Sequence, residues 1–190
     1  MTVDDMSQSR SAEAIQAILE ARAAALAKVD AEAESSEDGR GVMVFRVGGT
    51  DYGVPIDQIL EIQPLQDRTW CRVPCTPKFV LGAVNIRGMI YSILNLGTYL
   101  GSGESEITKS SHVLLVKAVR EQGGEPMELC LLADELPATR RIPAGEIRSS
   151  RGAVSARAES FVEGVTPDMV VVVNLGRLLS DPQIVVNEEP

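Results

Sequence analysis

The sequence predicts a mostly β fold of two small barrels, each of about five strands, packed side by side and preceded by an N-terminal α-helix. Three observations lead to this prediction. From residue 42 onward, short apolar runs alternate with glycine-rich turns, as is typical of strands and hairpins. Residues 1–40 lack that pattern and are rich in good helix formers. Two stretches of the β region, about 42–101 and 111–180, resemble each other.

The N-terminal region, residues 1–40, is expected to hold one helix and an acidic linker. Residues 11–33 contain neither glycine nor proline, and their larger apolar side chains fall close to one helix face. The region has nine acidic and four basic side chains, so it carries −5 of the total −9 and leaves −4 for the rest. This helix either folds onto its own domain or docks a partner, and residues 35–39 are typical of a linker.

The first repeat is expected to form hairpins and to end in a short helix. Its expected strands are residues 42–47, 52–54, 59–62 and 68–73. Residues 79–101 then predict a strand, a tight turn, a second strand and a short helix. Arg87-Gly88 forms that turn, because glycine tolerates the positive φ that tight turns require. An arginine at the tip of an apolar hairpin is either solvated or directed at a partner.

The second repeat follows the same order along the chain. Its expected elements are strands at 112–119, 127–133, 161–165 and 169–173, a helical turn at 174–179 and a short acidic tail at 182–190. The segment Asn95-Leu96-Gly97 matches Asn174-Leu175-Gly176 near the end of each repeat. Residues 85–88 have no counterpart in the second repeat, so function is sought in that loop. Each repeat is expected to form one barrel, the first at about 42–101 and the second at about 111–180, and together they predict a domain at 41–181.

Composition excludes several classes of partner. A net charge of −9 and a pI near 4.7 argue against a general nucleic-acid binder, which must neutralise phosphates. The acidic, polar start is not a secretory signal, and no apolar run approaches the roughly 20 residues of a membrane helix. We therefore expect a cytoplasmic protein without direct membrane insertion.

No cofactor, metal or catalytic group is expected. Cys71, Cys75 and Cys130 are expected to be reduced, packed thiols, because an odd number of cysteines without an export signal rarely forms disulfides. Cys71 and Cys75 could supply two zinc ligands, but zinc needs four, and His112 is the single histidine. His112 also has no nucleophile matched to it, so the chain is not expected to be an enzyme.

Several motifs occur in an order that carries a resemblance. The run GAVNIRGMI is preceded by Pro77-x-Phe79 and followed by ILNL, and Asp57-x-Ile59-x-Glu61-Ile62 lies upstream. LLADEL, IPAGEI and VVVVNLGRLL follow downstream. In this order and spacing, the chain resembles the CheW family of chemotaxis coupling proteins over about residues 42–179.

The resemblance implies a fold of two five-stranded, SH3-like barrels and a non-enzymatic signalling scaffold. Such a scaffold links chemoreceptors to a CheA-type histidine kinase, with the receptor's helical tip in the groove between the barrels and the kinase's regulatory domain elsewhere. The positions that match the family's receptor-binding surface are Ile59, Glu61, Asn85, Arg87 and Gly88. Glu61 and Arg87 are expected to pair across adjacent strands and to fix the arginine in the groove.

Some positions depart from the family pattern. Ser92 and Asn95-Leu96-Gly97 stand where the family commonly has proline and Asp-Leu-Arg. The chain also carries a basic patch that is either solvated or a second contact, for an acidic partner helix: Arg140, Arg141, Arg148 and Arg151. These departures, together with the N-terminal helix, leave open an adaptor for a gliding, pilus or other non-flagellar pathway. An alternative of a different class is a small-molecule-binding or catalytic β-barrel protein.

Overall fold

The computed structural model describes residues 39–184 except Gln122. The expected N-terminal helix and most of its linker, at residues 1–38, lie outside the described residues, as do residues 185–190 of the acidic tail. Among the described residues, none of the helices has the length and apolar character needed to span a membrane.

The described residues form mainly β-strands. The strands are β1 (Gly39–Val47), β2 (Thr50–Pro55), β3 (Ile59–Pro64), β4 (Trp70–Cys71), β5 (Val80–Ile86), β6 (Met89–Leu94), β7 (His112–Ala118), β8 (Met127–Ala133), β9 (Ala138–Pro143), β10 (Val162–Val165) and β11 (Val171–Val173). The α-helices are α1 (Leu96–Leu100), α2 (Ala156–Glu159) and α3 (Leu175–Leu178). Every expected strand is present, although the one at 68–73 shortens to the two residues of β4. The sequence patterns missed β9 and α2.

The helices that end the two repeats, α1 and α3, begin in the same way. The Asn95 side chain accepts a hydrogen bond from the Thr98 amide at the start of α1, and Asn174 does the same for Arg177 at the start of α3. Asparagine is a favoured N-cap because its side-chain oxygen satisfies an amide that the helix leaves unpaired. Asn95, which departs from the family pattern, is therefore a helix-capping residue, and its counterpart Asn174 has the same role in the second repeat.

The strands form two sheets, and each sheet curls into an SH3-like barrel. One sheet has the order β3-β7-β8-β6-β5-β4, and we call it barrel I. The other has the order β10-β11-β2-β1-β9, and we call it barrel II. Antiparallel pairs join β1 to β2, β10 to β11, β3 to β7, β7 to β8, β5 to β6 and β4 to β5. The short contacts of β6 with β8 and of β2 with β11 are parallel. The mostly β, two-barrel fold predicted from the sequence is confirmed.

The two repeats exchange their first hairpins. The β1–β2 hairpin of the first repeat belongs to barrel II, and the β7–β8 hairpin of the second repeat belongs to barrel I. The expectation that residues 42–101 and 111–180 each form their own barrel is therefore wrong. A repeat in sequence shows that two hairpins are alike, and two like hairpins can each complete the other's sheet.

The exchange explains why β7 and β8 are apolar along almost their whole length. Leu114 and Val116 face the large core between the barrels, whereas Val113 and Leu115 face the interior of barrel I. On β8, Leu131 and its neighbours divide between the same two cores. A strand that is buried on both faces loses the alternation of a half-buried strand.

An aromatic cluster joins the two repeats within the large core between the barrels, which we call the central core. Phe79 and Phe161, which are counterparts in the repeats, lie on Tyr99 of α1 with ring centroids 4.9 and 5.6 Å away. The Tyr99 hydroxyl donates a hydrogen bond of 2.7 Å to Asp181, and the Arg157 guanidinium lies 4.7 Å from the ring centroid. Burial, followed by the bond to Asp181, raises the pKa of Tyr99. The residues after α3 are thus tied to the core.

The exchange predicts that neither half of the domain folds alone. A fragment of residues 39–104 contains the β1–β2 hairpin of barrel II and only β3 to β6 of barrel I. A fragment of residues 105–184 contains the β7–β8 hairpin of barrel I and only β9 to β11 of barrel II. Each fragment alone should be unfolded by circular dichroism, because its apolar strand faces have no partner. Mixed or co-expressed, the two should reassemble into one folded complex that elutes together on size exclusion. A stably folded 39–104 fragment would contradict the exchange.

Candidate functional site

The turn between β5 and β6 holds Arg87 in an uncommon backbone conformation. Ile86 pairs with Met89, so Arg87 and Gly88 form a two-residue hairpin loop. Both have positive φ, 54° and 86°, as a type I′ turn requires. The Asn85 side-chain oxygen accepts a 2.8 Å hydrogen bond from the Gly88 amide and supports the turn. A non-glycine residue here costs on the order of 1 kcal/mol, so the side chain of Arg87 is retained against backbone strain.

Arg87 forms an ion pair with Glu61. Its Nε lies 3.0 Å from Glu61 Oε2, and the side chains are 79% and 17% exposed. The expected pair is present, but the expectation of adjacent strands is wrong. β3 is at one edge of the sheet of barrel I, and the β5–β6 hairpin is near the other edge. The pair therefore joins the two sides of the barrel where no backbone ladder connects them, and we call it the closing ion pair of barrel I.

A β-bulge in β3 directs Glu61 toward this position. The register with β7 shifts between Ile59, opposite Val116, and Glu61, opposite Leu115. Leu60, between them, is exposed, and Ile59 packs against the central core. Bulges commonly re-aim a side chain next to functional sites. Ile59 thus anchors the strand, while Glu61 faces the interior side of barrel I.

A second ion pair lies on β7 and β8, and sequence reasoning missed it. Lys117 Nζ is 2.8 Å from Glu128 Oε1, and the Tyr91 hydroxyl donates a 3.1 Å hydrogen bond to Glu128 Oε2. The hydrogen bond from Lys117 is the main cause of a lowered Glu128 pKa. Lys117 and Glu128 interrupt strands that are otherwise apolar. A charged residue within an apolar strand was the signal available in the sequence. The sequence does not show that Lys117 and Glu128 pair with each other, because that follows from the register of β7 and β8.

Cys130 lies two residues further along β8 than Glu128, toward the interior of barrel I. It pairs with Leu115 on the face of β7 that also carries Lys117, and it is fully buried in the core of barrel I. Burial, followed by the nearby Glu61 carboxylate, raises the pKa of Cys130 to about 12. Polar and charged side chains therefore surround one end of barrel I above an apolar floor. We call this end the mouth of barrel I, formed by Glu61, Arg87, Tyr91, Lys117 and Glu128.

Apolar side chains are exposed beside the mouth. Leu60 is in the β3 bulge, and Met89 and Ile90 directly follow the Arg87-Gly88 turn. Exposed apolar groups next to a charged site are typical of a protein–protein contact. What this arrangement offers is a charged surface with apolar groups beside it, on which another protein can bind.

Barrel II contains the same two kinds of ion pair, with one of them reversed in sign. Arg140, the third residue of β9, pairs with Asp168 in the β10–β11 turn. These positions correspond to Glu61, the third residue of β3, and to Arg87 in the β5–β6 turn. The expectation that residues 85–88 have no counterpart is therefore wrong for Arg87, because Asp168 takes its place in the turn of barrel II. The acid and the base have exchanged places.

The hairpin ion pair keeps its sign in both repeats. Arg46 Nε lies 2.7 Å from Asp51 Oδ1, and these residues pair directly across β1 and β2. Lys117 and Glu128 are the equivalent cross-strand pair of the β7–β8 hairpin, because in both hairpins this pair is the second one counted from the loop. In each case the first strand carries the base.

The expected basic patch is divided. Arg140 is engaged with Asp168, while Arg141 is exposed on β9. Arg148 pairs through its backbone with Val165, and Arg151 is exposed in the following turn. Contact of these residues with an acidic helix stays a prediction. The net positive charge of the patch is smaller than that of four free arginines, because Asp168 pairs with Arg140.

The cysteines differ from expectation in their burial. Cys130 is buried, but Cys71 and Cys75 are exposed, because β4 is only two residues long and the chain beyond it follows the surface. Within residues 39–184, leaving aside Gln122, no three His, Cys, Asp or Glu side chains are grouped so that they could hold a metal ion.

A cleft of about 490 Å³ lies beside barrel II, away from the mouth of barrel I. The charged residues that line it are Asp51 and Asp168. Each is already paired with an arginine, Arg46 or Arg140, so their charge is largely neutralised. This disfavours the cleft as a site for a charged small molecule.

Comparison with known proteins agrees with these features. A family model described as the CheW-like domain matches residues 41–183. The "Chemotaxis protein CheW" of Bacillus subtilis is 26% identical over 67% of this chain and 76% of its own length. "Protein PilI" of Pseudomonas aeruginosa is 27% identical over 70% of this chain and 69% of its own length. The crystal structure of the scaffolding protein TtCheW from Thermoanaerobacter tengcongensis superposes with a TM-score of 0.60 at 22% identity, over 80% of this chain and 96% of that one.

The burial of Cys130 predicts that its thiol reacts more slowly than those of Cys71 and Cys75. At about pH 8, the exposed thiols of Cys71 and Cys75 should react with Ellman's reagent, and the buried thiol of Cys130 should not, because burial raises its pKa. The native protein should therefore release the signal of two thiols, and the denatured protein that of three. In a Cys130→Ser control, the denatured count should fall to the native one. Three thiols reacting rapidly in the folded protein would place Cys130 at the surface.

Proposed function

This chain belongs to the CheW-like domain family, and from that premise we propose that it is a non-enzymatic adaptor that couples chemoreceptors to a CheA-type histidine kinase in chemotaxis signalling. It acts by binding alone. Its partners are the helical cytoplasmic tip of a receptor and the regulatory domain of the kinase. The observation that carries the proposal is Arg87, an exposed base held at a strained turn by a largely buried carboxylate.

The receptor tip binds beside Arg87 in this proposal. The exposed apolar side chains of Leu60, Met89 and Ile90 give a helix an apolar surface next to the guanidinium. An exposed ion pair adds only about 0–1 kcal/mol to stability, so the closing ion pair is better explained by recognition than by folding. The kinase's regulatory domain, which has the same fold, binds an apolar barrel end elsewhere.

The residues of the site have different roles in this proposal. Arg87 contacts the receptor, and Glu61 orients it. Asn85 and Gly88 hold the turn, since one accepts the hydrogen bond that the other donates. Ile59 fixes β3 against the central core.

A second candidate is an adaptor of the same kind in a non-flagellar pathway, such as gliding or pilus-based movement. The similarity to "Protein PilI" favours it, and so does the acidic region at 1–40, which precedes the residues matched by the family model. If that region docks a pathway-specific partner, deletion of residues 1–38 should weaken binding to this partner in a pull-down. Unchanged binding would assign recognition to the barrels alone.

The receptor site is tested by reversing the charges of the closing ion pair. Arg87→Glu should abolish binding of a receptor's cytoplasmic hairpin while leaving the circular dichroism spectrum native and changing the free energy of unfolding by about 1 kcal/mol or less. The double variant Glu61→Arg/Arg87→Glu restores an ion pair in the orientation that barrel II already uses. It should fold normally and still fail to bind, because the exposed position is now acidic.

Two results would contradict this assignment. Recovery of binding by the double variant would show that the pair has a structural role only. Normal binding by Arg87→Glu would remove Arg87 from the interface. Arg72→Glu, at an exposed arginine in the loop after β4, is the matched control and should bind as the unaltered chain does.

A further inference from the structure

Both ion pairs at the mouth of barrel I have their acid inside and their base outside. Glu61 is 17% exposed against 79% for Arg87, and Glu128 is 25% exposed against 44% for Lys117. An approaching molecule therefore meets two cations before it meets either carboxylate. This holds although the protein as a whole carries a net charge of −9.

The strand register places the two cations around the same opening. Glu61 is opposite Leu115, and Lys117 is two residues further along the same face of β7. Diagonal neighbours of this kind are about 7–8 Å apart at the backbone. Because Arg87 is bonded to Glu61, both bases lie within reach of a single binding segment.

Barrel II lacks this arrangement of charge. Its hairpin pair, Arg46 with Asp51, matches the pair of Lys117 with Glu128. Its turn carries Asp168 where barrel I has Arg87, and Arg46 also lies 3.8 Å from Glu135. The bases are therefore the more exposed members of both ion pairs at the mouth of barrel I, whereas the equivalent end of barrel II exposes both signs.

We propose that the mouth of barrel I recognises a helix that presents carboxylates beside apolar side chains, and that Lys117 is a second contact residue alongside Arg87. This inference rests on the proposed function and specifies the chemistry of the receptor segment. The carboxylates bind Arg87 and Lys117, while Leu60, Met89 and Ile90 cover the apolar side chains. Charge complementarity at an interface fixes orientation and excludes partners of the wrong sign.

Tyr91 acts as a positioning residue for the second contact. Its hydroxyl donates to Oε2 of Glu128, while Lys117 binds Oε1, so the carboxylate is held from both sides. Lys117 is tethered in turn, which reduces the side-chain freedom that binding must remove. The hydrogen bond to Glu128 is the main cause of a raised Lys117 pKa, so the side chain remains charged throughout the neutral range.

The test uses the full chain and the purified cytoplasmic hairpin of a chemoreceptor from the same genome, with affinity measured at low and high salt. Lys117→Met should weaken binding about fivefold and reduce its salt dependence, since one rim charge is worth roughly 1 kcal/mol. Lys117→Arg should bind nearly as the unaltered chain does. Tyr91→Phe should have a smaller effect that disappears in the Lys117→Met background.

Arg46→Met is the matched control, because it removes the equivalent base of barrel II. It should leave affinity and salt dependence unchanged. Replacing the acids of the receptor hairpin by their amides should abolish the difference between Lys117→Met and the unaltered chain.

The outcomes separate this inference from the proposed function. If Arg87→Glu loses binding while Lys117→Met keeps the affinity and salt dependence of the unaltered chain, the second contact is wrong and the receptor site stands. Equal losses in Lys117→Met and Arg46→Met would also overturn it, since the effect would then be one of general charge. If the unaltered chain does not bind the hairpin, the proposed function fails and this inference with it.

Discussion

The closing ion pair is the interaction on which the geometry of the site depends. Barrel I has no backbone ladder between β3 and the β5–β6 hairpin, and Glu61 with Arg87 joins these two sides. The β3 bulge turns Glu61 toward the gap, and the bond from Gly88 to Asn85 supports the turn that carries Arg87. Because the guanidinium is mostly exposed, the pair adds little to stability, and its main effect is to fix the position of a charge.

The exchange of hairpins gives that position a firm support. β7 and β8, which carry Lys117, Glu128 and Cys130, are buried on both faces, so they cannot move without disturbing both the interior of barrel I and the central core. Close packing makes such strands stiff. The barrels therefore behave as one folded unit, although the sequence presents them as two repeats.

The sequence patterns predicted the strands, the Arg87-Gly88 turn and the pairing of Arg87 with Glu61, because each follows from local periodicity, turn chemistry or a motif. They missed β9, since its exposed Thr139, Arg140 and Arg141 hide the alternation of a strand. They also missed the exchange and the pairing of Lys117 with Glu128. Both are long-range properties, since local patterns show which strands exist but not which similar hairpin completes which sheet.

The reversed pair explains how a duplicated fold obtains two unlike ends. Arg46 with Asp51 and Lys117 with Glu128 keep the same order, as expected for copies of one hairpin. The closing pair has the opposite order in the two barrels, because the turn carries Arg87 in one and Asp168 in the other. Both pairs have at least one half-exposed or exposed partner, so either order adds little to stability. The sign of the exposed charge does matter to a partner, and a scaffold that must tell its partners apart gains specificity from this difference at almost no cost in stability.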